Sequence, residues 1–177
     1  MRPNDPNSQQ MPKKPVLFVD VDGVISLWGF PSDRRPAGEF VNVDGILHFL
    51  SAAAAEHLPD LASSFELVWC TGWEERANDY LPAALRLPAS LPFLTFTRNP
   101  GRTHAHWKLD AIDAYAGSRP AAWIDDALDD ACRSWAAARA APTLLVQTDP
   151  AVGLTRAHTD ELEGWARELP NVGPAPS

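Results

Sequence analysis

The stretch Val16-Leu17-Phe18-Val19-Asp20-Val21-Asp22-Gly23-Val24-Ile25 joins an apolar run to two carboxylates that are spaced one residue apart. The four apolar residues at 16–19 are typical of a strand buried on both faces, as in a parallel sheet. Ligands of open α/β sheets bind beyond the carboxyl ends of the strands, which is where Asp20 and Asp22 lie. Two negative charges so close together repel, and burying them is costly unless protons or a cation offset the charge. A bound divalent metal is the simplest compensation.

The length and composition of the chain favour one folded domain. Its 177 residues, 45% of them hydrophobic, are enough for a single sizeable core. We expect a flexible leader at 1–14, one domain with a minimal cap at 15–169 and a flexible tail at 170–177. The sequence contains no apolar run of signal-peptide or membrane-spanning type, so we expect a cytoplasmic protein with no membrane partner.

The net charge of −8 would ordinarily argue against a polyanionic partner such as a nucleic acid. Six of those charges, however, come from aspartates in two short clusters, and without them the balance would be only −2. They are Asp20, Asp22, Asp125, Asp126, Asp129 and Asp130. If these residues surround a metal, the net charge says little about the substrate.

Strand and helix patterns alternate along the chain. The apolar runs that we interpret as strands lie at 16–19, 66–70, 93–97, 121–124 and 143–147. Alternation of this kind predicts an α/β fold: a doubly wound three-layer sandwich with a mainly parallel five-stranded sheet and helices on both faces. Between the first two strands we expect a loop or short hairpin at 26–40, and then a helix from Ile46 with Asp44 as its N-cap.

Several of these elements carry a polar residue at the same edge of the predicted sheet. The residues concerned are Asp20, Asp22, Thr71, Gly72, Lys108, Asp125 and Asp126, with Lys108 in the first turns of the helix before the fourth strand. A carboxylate can attack phosphorus, and a second carboxylate can move the protons. Carboxylates from two strands could hold Mg²⁺, while Thr and Lys side chains could bind the phosphoryl oxygens. Together these residue types form a working set for phosphoryl transfer.

In this order, the motifs resemble the four motifs of the haloacid dehalogenase (HAD) superfamily over roughly residues 16–150. The resemblance implies a HAD-like Rossmann-type fold. It also implies that Asp20 is the nucleophile and that Asp22 is the general acid/base, whose backbone carbonyl faces the metal. Members that cleave carbon–halogen bonds lack this second aspartate and the metal, so the presence of Asp22 favours phosphatase chemistry.

The other roles follow from the same resemblance. Thr71, Gly72 and Lys108 correspond to the phosphate-binding residues. The stretch Asp125-Asp126-x-x-x-Asp130 matches the last motif, with Asp126 as a metal ligand and Asp130 as its support. Asp125 occupies the glycine position of that motif and is the second candidate ligand, whereas Asp129 either faces solvent or caps the helix.

Each of these residues also has an ordinary structural interpretation. Asp-Gly is a common turn pair, and aspartates are frequent at helix N-termini, which could account for both acidic pairs. Thr71 could be a local cap and Lys108 a solvated helix residue. The alternation of His104 and His106 is a weak zinc signal without cysteines nearby. Further candidates for substrate contacts are Trp28, Trp73, Arg34 and Arg35.

The leading hypothesis is a Mg²⁺-dependent phosphomonoester hydrolase that acts through an aspartyl-phosphate, most simply on a phosphorylated small molecule. The short spacings from Asp22 to Thr71 and from Thr71 to Lys108 leave little room for a cap and predict an open site. One alternative is a phosphatase for polynucleotide ends, although the chain has no basic stripe. The other is a phosphate-accepting signalling or binding module without turnover, whose acidic pair would precede its acceptor aspartate.

Overall fold

The computed structural model describes residues 14–97 and 104–170. Its central sheet has four parallel strands: β1 (Val16–Val19), β5 (Glu66–Trp69), β6 (Ala121–Asp125) and β7 (Thr143–Gln147). They lie in the order β5-β1-β6-β7, so the first strand of the chain is central. The predicted α/β fold with a parallel sheet is confirmed. Residues 1–13 of the leader expected at 1–14, and residues 171–177 of the tail expected at 170–177, lie outside the described residues.

Five α-helices in the described ranges cover both faces of this sheet. They are α1 (Ala52–Leu61), α2 (Ala77–Ala84), α3 (Leu109–Ala116), α4 (Asp130–Ala138) and α5 (Arg156–Glu168). Alternation along β1 sends Leu17 and Val19 into one apolar core, together with residues of α1, α2 and α5. Phe18 points into a second core with α3 and α4. The fold is therefore the three-layer sandwich that the alternating pattern predicts.

The predicted fifth parallel strand at 93–97 is not formed. Only Phe93 makes an isolated parallel bridge, to Trp69 at the end of β5. The segment runs between Pro92 and the undescribed residues 98–103, and the proline before it lacks a backbone donor. The central sheet of the described residues consequently has four strands rather than five.

The largest difference from the sequence-based expectation lies between β1 and α1. A second, antiparallel sheet occupies this region, with β2 (Ser26–Leu27), β3 (Gly38–Val43) and β4 (Ile46–Ser51) in the order β2-β4-β3. The helix predicted from Ile46 begins only at Ala52, where the Ser51 hydroxyl accepts a hydrogen bond from the Ala54 amide at 3.3 Å. The expected loop and helix are therefore a loop, a hairpin and a shorter helix.

The turn of this hairpin explains the difference. Val43 and Ile46 pair across a two-residue connection, Asp44-Gly45, and both connecting residues have positive φ angles, 51° and 87°. Such a turn matches the twist of antiparallel strands and favours an Asp-Gly sequence. Asp44 is therefore a hairpin residue and not the N-cap of a helix.

None of the helices in the described ranges 14–97 and 104–170 combines the length and the apolar character that crossing a membrane requires.

Candidate active site

Two adjacent strand ends bring three carboxylates together. β1 and β6 pair in register, with Val19 opposite Ile124, so the residues that follow lie side by side. The Asp20 amide donates a hydrogen bond to the Ile124 carbonyl at 3.1 Å. Asp20, Asp125 and Asp126 each offer one carboxylate oxygen, and these oxygens all lie within 4.8 Å of one another. Three convergent carboxylate oxygens form a donor set that suits a hard divalent cation.

Lys108 supplies a positive charge inside this cluster. It ends a 3₁₀ turn at His106–Lys108 that leads into α3, and its side chain is almost completely buried. Its Nζ atom lies 2.6 Å from Asp125 Oδ2 and 3.1 Å from Asp20 Oδ1. The two carboxylate partners hold this buried ammonium in place, because a buried charge without a partner is strongly destabilising.

The end of β5 lies beside the end of β1. The Cys70 amide donates to the Val19 carbonyl at 2.8 Å, so Thr71 follows at the same edge of the sheet. Thr71 is buried, and its hydroxyl accepts a hydrogen bond from the Trp73 amide at 3.3 Å. Gly72 lies exposed in the turn between them. Thr71 and Lys108 thus approach the carboxylates from two different sides of β1.

The two aspartates of the first motif have different environments. Asp20 is buried, whereas the side chain of Asp22 is 54% exposed. The indole N–H of Trp73 donates a hydrogen bond to Asp22 Oδ2 at 3.1 Å, and His48 Nδ1 lies 3.7 Å from Asp22 Oδ1. The structure therefore separates a shielded carboxylate from one that reaches solvent.

Gly23 and Thr148 determine the shape of the turn that follows β1 and packs against the second acidic pair. Gly23 has a φ of 78°, and a Cβ atom there would lie 2.3 Å from Asp126 Cγ. A side chain at this position would displace the Asp126 carboxylate. The Thr148 hydroxyl donates to the Gly23 carbonyl at 2.9 Å, and the Thr148 amide donates to the Asp125 carbonyl at 3.2 Å. These contacts tie the turn after β1 to the ends of β6 and β7.

The electrostatics of the cluster favour binding a cation. Burial raises the pKa of Asp20 to about 8; the Lys108 ammonium opposes this effect, and the charges of Asp125 and Asp22 add to it. Burial and the neighbouring Asp125 raise the pKa of Asp126 to about 6. Burial by itself would lower the pKa of Lys108, but Asp20 and Asp125 more than offset it and raise that pKa above its ordinary value. When they are ionised, the carboxylates carry more negative charge than one ammonium can balance, and without a metal protons offset part of that charge.

Not every predicted residue is brought to this cluster. The Asp130 side chain is fully exposed and lies 3.8 Å from Arg133, so the structure does not place it as a support for Asp126. Asp129 instead caps α4 by accepting from the Cys132 amide at 3.0 Å, and its other oxygen lies 2.6 Å from His106 Nδ1. The helix begins at Asp130, which turns that side chain outward.

The remaining candidates lie on segments outside the three-carboxylate cluster. Arg34 and Arg35 are exposed on the segment before β3, and Trp28 is 56% exposed just after β2. The rings of His104 and His106 stack on each other with centroids 4.3 Å apart, and His106 contacts Asp129 as described. None of these observations indicates a zinc site among the described residues.

The contacts of His48, Trp73 and Thr148 were not predicted from the sequence. Trp73 and Asp22 are 51 residues apart, and Thr148 and Gly23 are 125 apart, so no local pattern marks either pair. The one available signal for His48 was the Asp44-Gly45 pair, which marks the hairpin that carries it.

A parallel sheet whose first strand ends in Asp-x-Asp, with a buried lysine and a second acidic pair on the neighbouring strand, has the architecture of the HAD superfamily. The chain belongs to the family described as the HAD domain in Swiss Army Knife RNA repair proteins, whose model matches residues 16–159. A comparison with curated proteins gave no match. Membership supports a function of the HAD phosphatase type, since domains of this superfamily are generally hydrolases and typically use Mg²⁺.

Proposed function

We propose that the protein is a Mg²⁺-dependent phosphomonoester hydrolase that forms an aspartyl-phosphate and acts on phosphorylated RNA ends. The observation that carries this proposal is the cluster at the edge of the sheet, where Asp20, Asp125 and Asp126 converge. The buried ammonium of Lys108 pairs with the first two of these carboxylates. This arrangement combines a nucleophile, a set of metal ligands and a fixed positive charge within a few ångströms.

The residues present fit a Mg²⁺ ion. The three convergent carboxylates would hold it, and the resemblance adds the backbone carbonyl of Asp22 as a further ligand. When bound, the ion offsets the negative charge of the phosphoryl group, so that an anionic nucleophile can approach an anionic substrate. Lys108 and Thr71 would bind the other phosphoryl oxygens by charge and hydrogen bonding.

In the first half of the reaction, an oxygen of Asp20 forms a bond to phosphorus while the bond from phosphorus to the leaving oxygen breaks. Asp22, in its protonated form, gives its proton to that leaving oxygen, which departs as an alcohol. The half-exposed position of Asp22 lets it reach a leaving group that lies toward solvent.

In the second half, Asp22 is a carboxylate and takes a proton from water as the water oxygen attacks phosphorus. The bond between phosphorus and Asp20 breaks, which releases inorganic phosphate and restores the Asp20 carboxylate. Asp22 is again protonated, so the cycle closes with one water consumed for each phosphomonoester.

Two observations support RNA ends as the substrate class. The family is described by its occurrence in RNA repair proteins. The exposure of Asp22 also means that its carboxyl is open to a substrate larger than the phosphoryl group. A phosphorylated small molecule is the second candidate, because the sequence has no basic stripe that would bind a polyanion.

A substrate panel tests this proposal. Purified protein with Mg²⁺ is offered oligoribonucleotides with a 3′- or a 5′-phosphate, the matching deoxyribonucleotides, free nucleotides, sugar phosphates and a phosphopeptide, and released phosphate is measured. We expect the highest kcat/KM on one class of RNA end. Asp20→Asn should abolish turnover, and the exposed-site control Asp33→Asn should retain it.

Three results would contradict the proposal in different ways. Turnover that persists in Asp20→Asn would remove the aspartyl-phosphate mechanism. Activity confined to small phosphomonoesters would leave the chemistry intact and replace RNA with the second candidate. No release of phosphate from any member of the panel, in protein that is folded and binds Mg²⁺, would contradict hydrolysis altogether.

A further inference from the structure

Asp22 needs external support if it is to move protons efficiently. A carboxylate that is 54% exposed can rotate among several orientations, whereas proton transfer requires one oxygen to face the reacting atom. Buried packing cannot supply this support as it does for Asp20. The orientation of Asp22 must therefore depend on the few side chains that contact it.

Trp73 makes the direct contact. Its indole N–H, the single polar group of that side chain, donates to Asp22 Oδ2 at 3.1 Å. Asp22 becomes ionised as it gives up its proton, and a hydrogen bond to an ionised acceptor is stronger than one between neutral groups. The bond fixes one oxygen of Asp22 and leaves the other to carry the proton. The contact thus orients the carboxylate without occupying the oxygen that would face the leaving group.

Trp73 is itself held on two sides. Its backbone amide donates to the Thr71 hydroxyl, so it is fixed to the turn after β5. Its ring lies edge to face with the His48 ring, with centroids 4.5 Å apart and an interplanar angle of 66°. Since the indole cannot swing freely, its N–H has a defined direction.

The hairpin β3–β4 delivers His48 to this position. The Ser26 hydroxyl on β2 lies 2.9 Å from His48 Nδ1, so the imidazole is anchored within the antiparallel sheet. At the tip of the hairpin, Asp44 pairs with Arg76 and accepts a hydrogen bond from the Tyr80 hydroxyl at 2.8 Å. The hairpin is thereby fastened to α2 at its tip and to Trp73 near its middle.

We propose that Trp73 is a positioning residue that orients the Asp22 carboxyl through its indole N–H and is held in place by His48. This inference rests on the proposed phosphatase function. Trp73 touches Asp22 and not the reacting atoms, so its removal should weaken proton transfer and leave the nucleophile intact. The loss should grow with the need of the leaving oxygen for a proton.

Two aryl phosphates of nearly the same shape isolate this effect. Phenolate is a poorer leaving group than p-nitrophenolate, so phenyl phosphate depends more on protonation by Asp22. Trp73→Phe keeps a ring against His48 and removes the donor. We expect kcat/KM to fall roughly tenfold with phenyl phosphate, the loss expected for one hydrogen bond to a charged group, and only about twofold with p-nitrophenyl phosphate.

Three further variants calibrate the comparison. Asp22→Asn removes the proton donor, so it should show the largest ratio of kcat/KM with p-nitrophenyl phosphate to kcat/KM with phenyl phosphate. Trp165→Phe is the matched control, because Trp165 stacks on Phe65 with centroids 6.2 Å apart and lies outside the proposed site. His48→Phe keeps a ring against the indole but loses the anchor to Ser26, and we expect its ratio to change in the same direction by two- to threefold.

The outcomes separate this inference from the proposed function. A ratio between the two substrates that is unchanged from wild type in folded Trp73→Phe, whether both activities fall equally or neither falls, would overturn it. If Trp73→Phe fails to fold, the ratio in His48→Phe decides the matter by itself. A wild-type protein inactive on both substrates and on the RNA panel would instead contradict the proposed function, with its Mg²⁺-dependent thermal shift confirming that it is folded.

Discussion

Lys108 offers the sharpest perturbation of the cluster, because a single substitution changes its charge while preserving its volume. Lys108 is 3% exposed and bridges Asp20 and Asp125, so Lys108→Met leaves two carboxylates without their cation. Breaking a buried ion pair by removing one partner costs about 3–5 kcal/mol. We expect a value near the lower end, about 3 kcal/mol, because the pKa of Asp20, about 8, keeps its carboxyl largely protonated at neutral pH and leaves Asp125 as the main unpaired charge.

That cost should appear in a thermal melt without metal. For a chain of this size, each 1 kcal/mol changes Tm by about 2–4 °C, so Lys108→Met should melt roughly 6–12 °C below wild type. Mg²⁺ should then raise the Tm of the variant more than that of the wild type, since the ion meets a more negative site. Phosphatase activity should not return, because the phosphate-binding ammonium is gone.

The matched control is Lys14→Met. Lys14 is exposed just before β1, at the end of that strand opposite to the cluster, and donates to the Ala62 carbonyl at 2.8 Å, so its loss should leave Tm within about 1 °C. If Lys108→Met has the same Tm as the wild type and the same Mg²⁺-induced rise in Tm, Lys108 is not paired with the carboxylates, and the electrostatic account of the site fails.

The same melts give a pH dependence with a defined sign. The pKa of Asp20 is about 8 in the folded protein and near 3.8 in the unfolded chain. Between these values the folded state holds a proton that the unfolded state has released, so raising the pH disfavours folding. Metal-free protein should therefore lose stability as the pH rises from about 4 to about 8. The affinity for Mg²⁺ should rise over the upper part of this range, and calorimetry at pH 6 and pH 8 measures it.

Two further substitution pairs test the geometry around the cluster. Gly23→Ala should lower both Tm and the rise in Tm that Mg²⁺ causes, since a Cβ would overlap Asp126. Gly29 has a similar φ of 80° but open space around it, so Gly29→Ala should lower Tm and leave the Mg²⁺-induced rise unchanged. Equal Mg²⁺-induced rises in the two variants would contradict the overlap. Asp129→Ala should destabilise the protein by about 1 kcal/mol through loss of a helix cap, measured by urea unfolding. Asp130→Ala should retain phosphatase activity within about twofold, and a large loss there would restore its predicted supporting role.

The central sheet and its polar edge could be predicted because their signals are local. Each inner strand is a short apolar run, and its first polar residue marks the edge where ligands bind. Asp20 and Asp125 follow paired strands, so their convergence required only the assumption of a parallel sheet. The segment at 93–97 has the composition of a strand, yet it forms a single bridge, since composition alone does not supply hydrogen-bonding partners.

The hairpin could not be predicted from periodicity because its sequence fits two structures. The apolar residues at 46, 47, 49 and 50 have the spacing of one apolar face of a helix, and Asp44 is an acceptable N-cap. The positive φ angles at Asp44 and Gly45 decide between them, since a helix cannot begin there. In the hairpin, the side chains of Ile46 and Leu47 are exposed, whereas the predicted helix would have buried them on its apolar face.

The roles of the neighbouring acidic residues were predicted only in part: a cap at Asp129 was one of two alternatives, whereas the structure does not place Asp130 as a support. Asp129 and Asp130 are adjacent, and which of them faces the site depends on the residue at which α4 begins. The helix begins one residue after its cap, so Asp129 turns toward Cys132 and His106 while Asp130 turns to solvent. A shift of one residue at a helix start rotates each side chain by about 100°, which a spacing rule does not resolve.

Direct detection of phosphate on Asp20 tests the central claim most directly. Protein mixed with a ³²P-labelled substrate and Mg²⁺ is quenched in acid within the first turnover, treated with borohydride to reduce any acyl phosphate, and mapped by peptide mass spectrometry. We predict acid-stable label that disappears on mild alkaline treatment, together with reduction at residue 20 and at no other carboxylate. Label on a different residue, or phosphate release in step with substrate loss while Asp20 stays unmodified, would contradict the assignment of Asp20 as the nucleophile.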